Sequence, residues 1–189
     1  MDERRINEAI KQLQKVMDEE GVDPVKGLPQ ELFLFATTLM PCANIDLFVS
    51  DGQRLLLTWR DDEFYGQGWH IPGGCLRLLE TLDTRIQKTA IKELGTEVVY
   101  DREHFVTRET MEHSFRPGLK NQYERCHNIS MLFNCVLPSG FIIKNHVDEK
   151  TEGYMKWFDH TPSDLLIAHR DLYGDIIDKF FKGELKWTM

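Results

Sequence analysis

Little in this chain points to an exported, disulfide-held or membrane-bound protein. Only four cysteines occur, Cys42, Cys75, Cys126 and Cys135, and none stands in C-x-x-C spacing. A zinc site or redox motif is therefore not expected, and reduced thiols in the cytoplasm are the simple reading. No apolar run approaches the length of a membrane span, and Met1-Asp2-Glu3-Arg4-Arg5 lacks the apolar core of a signal peptide. A cytoplasmic protein with no membrane partner is expected. Positive charge is also short: 23 Lys and Arg face 31 Asp and Glu, for a net charge of −8. That balance argues against a basic surface for long nucleic acid. It leaves room for a phosphorylated small molecule, because a metal and a few local cations can supply the positive field. No repeat, low-complexity tract or Gly/Ser/Pro linker is present. With 41% hydrophobic and 29% charged residues, the 189 residues read as one ordinary globular domain with additions.

What is present is a mixture of helical and strand patterns. Ile6, Ala9, Ile10, Leu13, Val16 and Met17 describe an amphipathic helix over residues 3–20, broken by Gly21-Val22-Asp23-Pro24. A second short helix is expected from Pro29 through Ala36. Strands follow over 42–50 and 53–60, with Asp51-Gly52 as a hairpin signal between them. Residues 61–69 read as an irregular loop whose aromatics, Phe64, Tyr65 and Trp69, either stack a base or close one end of the core. Trp59 and Trp157 read as core residues. Further strands are expected near 97–112, 127–137 and 154–158, with a polar loop from Phe115 to Glu124, and helices near 161–168 and 171–182.

The most informative stretch is Trp69-His70-Ile71-Pro72-Gly73-Gly74, followed by Glu80 and a helical segment closing on Lys92-Glu93-Leu94-Gly95. It resembles the Nudix box, G-x5-E-x7-R-E-U-x-E-E-x-G-U, with Gly74, Glu80, Glu93 and Gly95 at the required offsets. The resemblance implies an α/β fold, a Nudix-type α/β/α sandwich around a mixed β-sheet. It implies a Nudix domain over 40–189 and an extra N-terminal helical segment over 1–39. It also implies Mg²⁺ (or Mn²⁺) as cofactor, with the Gly73 carbonyl and Glu93 as ligands, and a structural Glu80–Lys88 ion pair in place of the family's Glu–Arg pair. Lys keeps the charge there but loses the bidentate fork, so a looser hold on the loop is expected. Residues 89, 92 and 93 share a helix face by their spacing. The family's three carboxylates on that face are here Thr89, Lys92 and Glu93, which leaves donors for one metal rather than several.

This defect resembles the GDP-mannose mannosyl hydrolase branch, whose members attack the sugar carbon with one metal neutralising the diphosphate leaving group. That likeness implies a nucleotide-sugar or other nucleoside diphosphate substrate. It places Asp46 and Arg60 against the substrate and His113 near the site. Arg77 stands in for an arginine the branch keeps at position 75, and Lys92 is a further phosphate partner. For the general base it points to the segment 145–152, with Glu152 as base or metal ligand and His146 as the competing candidate. Two other readings stay open: pyrophosphate cleavage with a reduced metal set, and a ligand-sensing module that has lost catalysis. The N-terminal helix either covers the sheet or pairs with a second subunit in a homodimer, and its apolar stripe decides neither.

Overall fold

A computed structural model describes residues 2–110 and 127–185 of the chain. Two helices come first, α1 (Glu3–Glu19) and α2 (Gln30–Leu39). The strands are β1 (Cys42–Val49), β2 (Leu55–Asp62), β3 (Gly66–His70), β4 (Gly73–Cys75), β5 (Val99–Thr110), β6 (Asn128–Val136) and β7 (Met155–Phe158). Helix α3 (Leu82–Leu94) lies between β4 and β5, and α4 (Ile167–Phe181) closes the chain. The strands form a mixed sheet in the order β4-β1-β6-β5, with β1 and β6 parallel, and an antiparallel sheet in the order β3-β2-β7.

Alternation along β1 divides the core, as a period of two requires. Ile45, Leu47 and Val49 pack with Ile86, Ala90 and Leu94 of α3, which recur every fourth residue on one helix face. Phe48, by contrast, packs with Leu55, Leu57, Trp59 and Trp69 against Tyr173, Ile176 and Ile177 of α4. Helices therefore cover both faces of the strands, and the expected α/β/α arrangement with an N-terminal helical addition is present. Among the described residues no helix is long and apolar enough to cross a membrane.

Three local expectations are corrected. The β1–β2 hairpin does not form: the two strands lie in different sheets and their ends are bridged only between Ser50 and Leu55. The stretch 61–69 is not an irregular loop, because Gly66–His70 pairs antiparallel with β2, Arg60 opposite Gly68 and Trp59 opposite Trp69. Residues 161–166 are not helical either. The Trp69 N–H donates to the Asp164 carbonyl at 2.9 Å and the Leu166 N–H to the Trp69 carbonyl at 2.8 Å, so this backbone is spent on β3 and the helix starts only at Ile167. The expected loop Phe115 to Glu124 lies outside the described residues.

Candidate active site

The box folds as a short strand, a tight loop and a helix. β4 pairs antiparallel with β1, setting Gly73 opposite Asp46 and Gly74 opposite Ile45. A Cβ at Gly73 would collide with the Asp46 carboxylate, so only glycine admits this approach. Thr81 caps α3, its hydroxyl accepting from the Thr84 N–H at 3.1 Å, and Gly95 ends the helix in the left-handed region at φ 74°.

Glu80 holds the loop to the helix, and it does so through more than Lys88. Its buried carboxylate accepts from the Arg77 N–H at 2.9 Å, from Lys88 Nζ at 3.0 Å and from the Arg85 guanidinium, whose Nε lies at 2.8 Å and whose Nη2 completes the fork. Burial alone would raise the Glu80 pKa, but the hydrogen bonds of Arg85, Lys88 and the Arg77 amide outweigh it and hold it at about 2. The expected loose loop is thus corrected: Arg85, one turn before Lys88 on the same face, supplies the bidentate contact that Lys88 lacks.

A cleft of about 920 Å³ opens beside this loop. Gly73, Gly74, Thr89, Lys92 and Glu93 line one side, and Asp46, Arg60, His70 and His169 also border it. Arg60 is pinned by an ion pair to Asp62 and lies 4.5 Å over the Tyr65 ring. The Tyr173 hydroxyl donates to Asp46 Oδ2 at 2.5 Å. Burial pushes the Asp46 carboxyl up to about 6, against hydrogen bonds from Tyr173 and Ser130 and the charge of Arg60. His70 donates from Nδ1 to the Ile71 carbonyl at 2.8 Å, so its Nε2 accepts from Thr58 Oγ1 at 2.9 Å. Burial and the charge of Arg60 push its pKa down to about 3, and it is a neutral structural residue. The Nδ1 of His169 accepts from the Ile71 N–H at 3.0 Å, which puts the proton of its neutral form on Nε2.

Asp46, Arg60, Arg77, Lys92, Gly73 and Glu93 are brought together on this cleft. Glu152 and His146 are not: both are exposed in the loop before β7, outside the cleft lining. His113 lies outside the described residues. Arg77 borders the cleft, but its guanidinium donates to the Lys26 carbonyl and packs against Gly27, tying the box loop to the N-terminal extension. Sequence reasoning missed Arg85, Tyr173 and His169, and the rim carboxylates Glu109 and Asp171. Arg85 was within reach through its helical spacing to Lys88. His169, Asp171 and Tyr173 of α4 carried no signal, because only the docking of α4 brings them to β1, to Ile71 and to the cleft.

A model of the NUDIX domain matches residues 40–180. The chain belongs to the NUDIX domain family. Hydrolysis of nucleoside diphosphate derivatives with divalent metals such as Mg²⁺ or Mn²⁺ is this family's chemistry. The crystal structure of UDP-X diphosphatase is similar at 16% identity and TM-score 0.51, over 96% of this chain and 83% of that one. A NUDIX hydrolase from Nitrosomonas europaea is 18% identical with TM-score 0.48, over 74% of this chain and 70% of that one. The MutT protein from Methanosarcina mazei Go1 is 15% identical with TM-score 0.49, over 76% and 93%. No curated protein matches the chain. At such identities the likeness to UDP-X diphosphatase concerns the fold alone.

The Nudix donor set here is thin. Among the described residues no three His, Cys, Asp or Glu side chains gather as a metal set. Glu93 is tied to Lys92 Nζ at 2.9 Å, and Thr89 is 2% exposed with its hydroxyl unpartnered. The Glu93 carboxylate and Gly73 carbonyl are hard oxygen donors that fit one Mg²⁺ or Mn²⁺ completed by water.

Proposed function

We propose that the chain hydrolyses a nucleotide sugar, a nucleoside diphosphate linked to a sugar as in GDP-mannose, with water attacking the sugar carbon. One observation carries this reading: Glu93 is the one carboxylate of α3 that borders the cleft, together with the cations Arg60 and Lys92. The two positions that would complete a metal cluster hold a buried threonine and a lysine. Arg60, fixed by Asp62 and Tyr65, and Lys92 meet the diphosphate and stabilise its charge as it departs. One ion held by Glu93 and Gly73 would neutralise that leaving group when bound. Leu28, Phe33, Ala36 and Met40 from the N-terminal extension also line the cleft and offer apolar surface to the base or sugar.

The proton of the attacking water is assigned to a carboxylate that borders the cleft, Glu109 or Asp171, since Glu152 and His146 stand outside it. His169, with its neutral-form proton on Nε2, serves as a donor rather than a base.

Turnover of a nucleotide-sugar panel in ¹⁸O-labelled water with Mg²⁺ or Mn²⁺ tests the bond. Label is expected in the released sugar and none in the nucleotide. Label in a phosphate would establish attack at phosphorus and a pyrophosphatase instead. Binding without turnover of any panel member would make the chain a ligand-binding module.

A further inference from the structure

Helix α1 has no buried residue although it carries a regular apolar stripe. Ile6, Ile10, Leu13 and Val16 are between 40% and 48% exposed. A 17-residue helix of about 25 Å is marginal in water on local interactions alone, and it draws its stability from whatever covers its apolar face. Ile6, Ile10, Leu13 and Met17 recur at spacings of four, three and four, the seam of a two-helix coiled coil, with Ala9 and Val16 flanking it.

The charges on α1 oppose its dipole at the C-terminal end. Asp2 caps the helix and Glu3, Arg4 and Arg5 follow in its first turn, a balanced set, while Asp18, Glu19 and Glu20 crowd the negative end and no basic residue occupies the last turn. Within the helix the charges do little to offset this. Lys15 and Glu19 are 3.6 Å apart and exposed, in the less favourable order with the cation nearer the N-terminus. An antiparallel partner of the same sequence brings two arginines to each acidic end. With Ile6 opposite Met17 and Ile10 opposite Leu13, the two-fold axis passes between residues 11 and 12. That register also sets Arg5 against Asp18 and Arg4 against Glu19 at both ends, with Glu3 against Glu20 as the one like-charge pair. A parallel pair would instead put the two acidic C-terminal ends together.

We propose that α1 is an isologous dimerisation helix, docking antiparallel on α1 of a second copy of this chain through the Ile6-Ile10-Leu13-Met17 seam. Two helices of this length make a smaller contact than a standard interface of about 1,600 Å², so the proposed association is a weak one.

Sedimentation equilibrium of the full chain across micromolar concentrations tests this. The wild type is expected to reach the dimer mass, and Ile10→Glu/Leu13→Glu to stay monomeric over the same range. Because α1 buries nothing in the single chain, that variant should keep the wild-type thermal midpoint under dilute conditions. Arg4→Glu/Arg5→Glu should weaken association by about tenfold or more. Adding Asp18→Lys/Glu19→Lys to the same chain should restore it, since the reversed ends are again complementary. A wild type that stays monomeric would overturn the proposal, as would a dimer indifferent to Ile10→Glu/Leu13→Glu. Failure of the fourfold charge reversal to restore association would overturn the antiparallel pairing.

Discussion

Glu80 and Glu93 belong to the same motif and do opposite work. Glu80 is spent on the fold: its carboxylate has a side-chain exposure of 2% and is shared by Arg85, Lys88 and a backbone amide. Its folded pKa of about 2 lies below the ordinary glutamate value. A depressed carboxyl pKa contributes stability that is complete above the unfolded value and is lost as pH falls towards the folded one. Glu80→Gln, which leaves the Arg85 charge buried beside a neutral amide, should therefore destabilise strongly at about pH 7, and the gap to wild type should narrow between about pH 5 and about pH 3. Urea midpoints at those pH values check it, and a gap independent of pH would remove the ion pair from the account. Glu93, by contrast, is available to the cleft apart from Lys92. Glu93→Gln is isosteric and should lower turnover by about two orders of magnitude in Mg²⁺ with an unchanged thermal midpoint. Glu152→Gln and His146→Ala should stay within about twofold of wild type, because neither residue borders the cleft. Near-normal turnover in Glu93→Gln would sink the one-metal site, and a deeper loss in Glu152→Gln would return the base to the loop before β7.

Elements whose signals are local were legible, and those defined by partners were not. Helix α3 was readable because Thr81, the Ile86-Ala90-Leu94 face and Gly95 encode its start, its buried side and its end within one segment. β1 and β6 were readable as apolar runs bounded by turns. β3 was not, since Gly66-Gln67-Gly68 has poor strand propensity and becomes a strand only because β2 lies alongside. Pairing likewise decided the residues before α4, whose helical composition yields to the backbone of Trp69. For Asp51-Gly52 the turn itself was sound, but twist and packing sent β2 into the second sheet. The candidate site divides in the same way. Gly73, Glu93 and Lys92 came from one contiguous motif and Arg60 from a likeness one strand away, and all four reach the cleft. Glu152 and His146 rested on a loop whose path the sequence does not encode. Tyr173 bonds Asp46 from 127 residues away, a contact no local pattern announces.

At the scale of the molecule, the N-terminal extension divides into two parts with separate consequences. α1 stands clear of the body, whereas the segment after it and α2 wall the cleft through Pro24, Leu28, Phe33, Ala36 and Met40. Arg77 joins that wall to the box loop by its contact with the Lys26 carbonyl, and its guanidinium fills the space beside Gly27. Substrate selection then couples to the extension through position rather than through the reacting groups, so it should appear in KM. Ala36→Trp, which places an indole in the cleft, should raise KM for a nucleotide sugar about tenfold with kcat within about threefold. Arg77→Ala should act in the same direction by releasing the wall. Removing residues 1–21, which takes α1 and leaves the wall, should dissociate the dimer and leave KM unchanged. Steady-state kinetics of the three variants, each at a concentration where its mass is known, separate the two roles. An unchanged KM in Ala36→Trp would take α2 out of the binding surface. A raised KM in the chain lacking α1 would mean that the second copy helps to build the site.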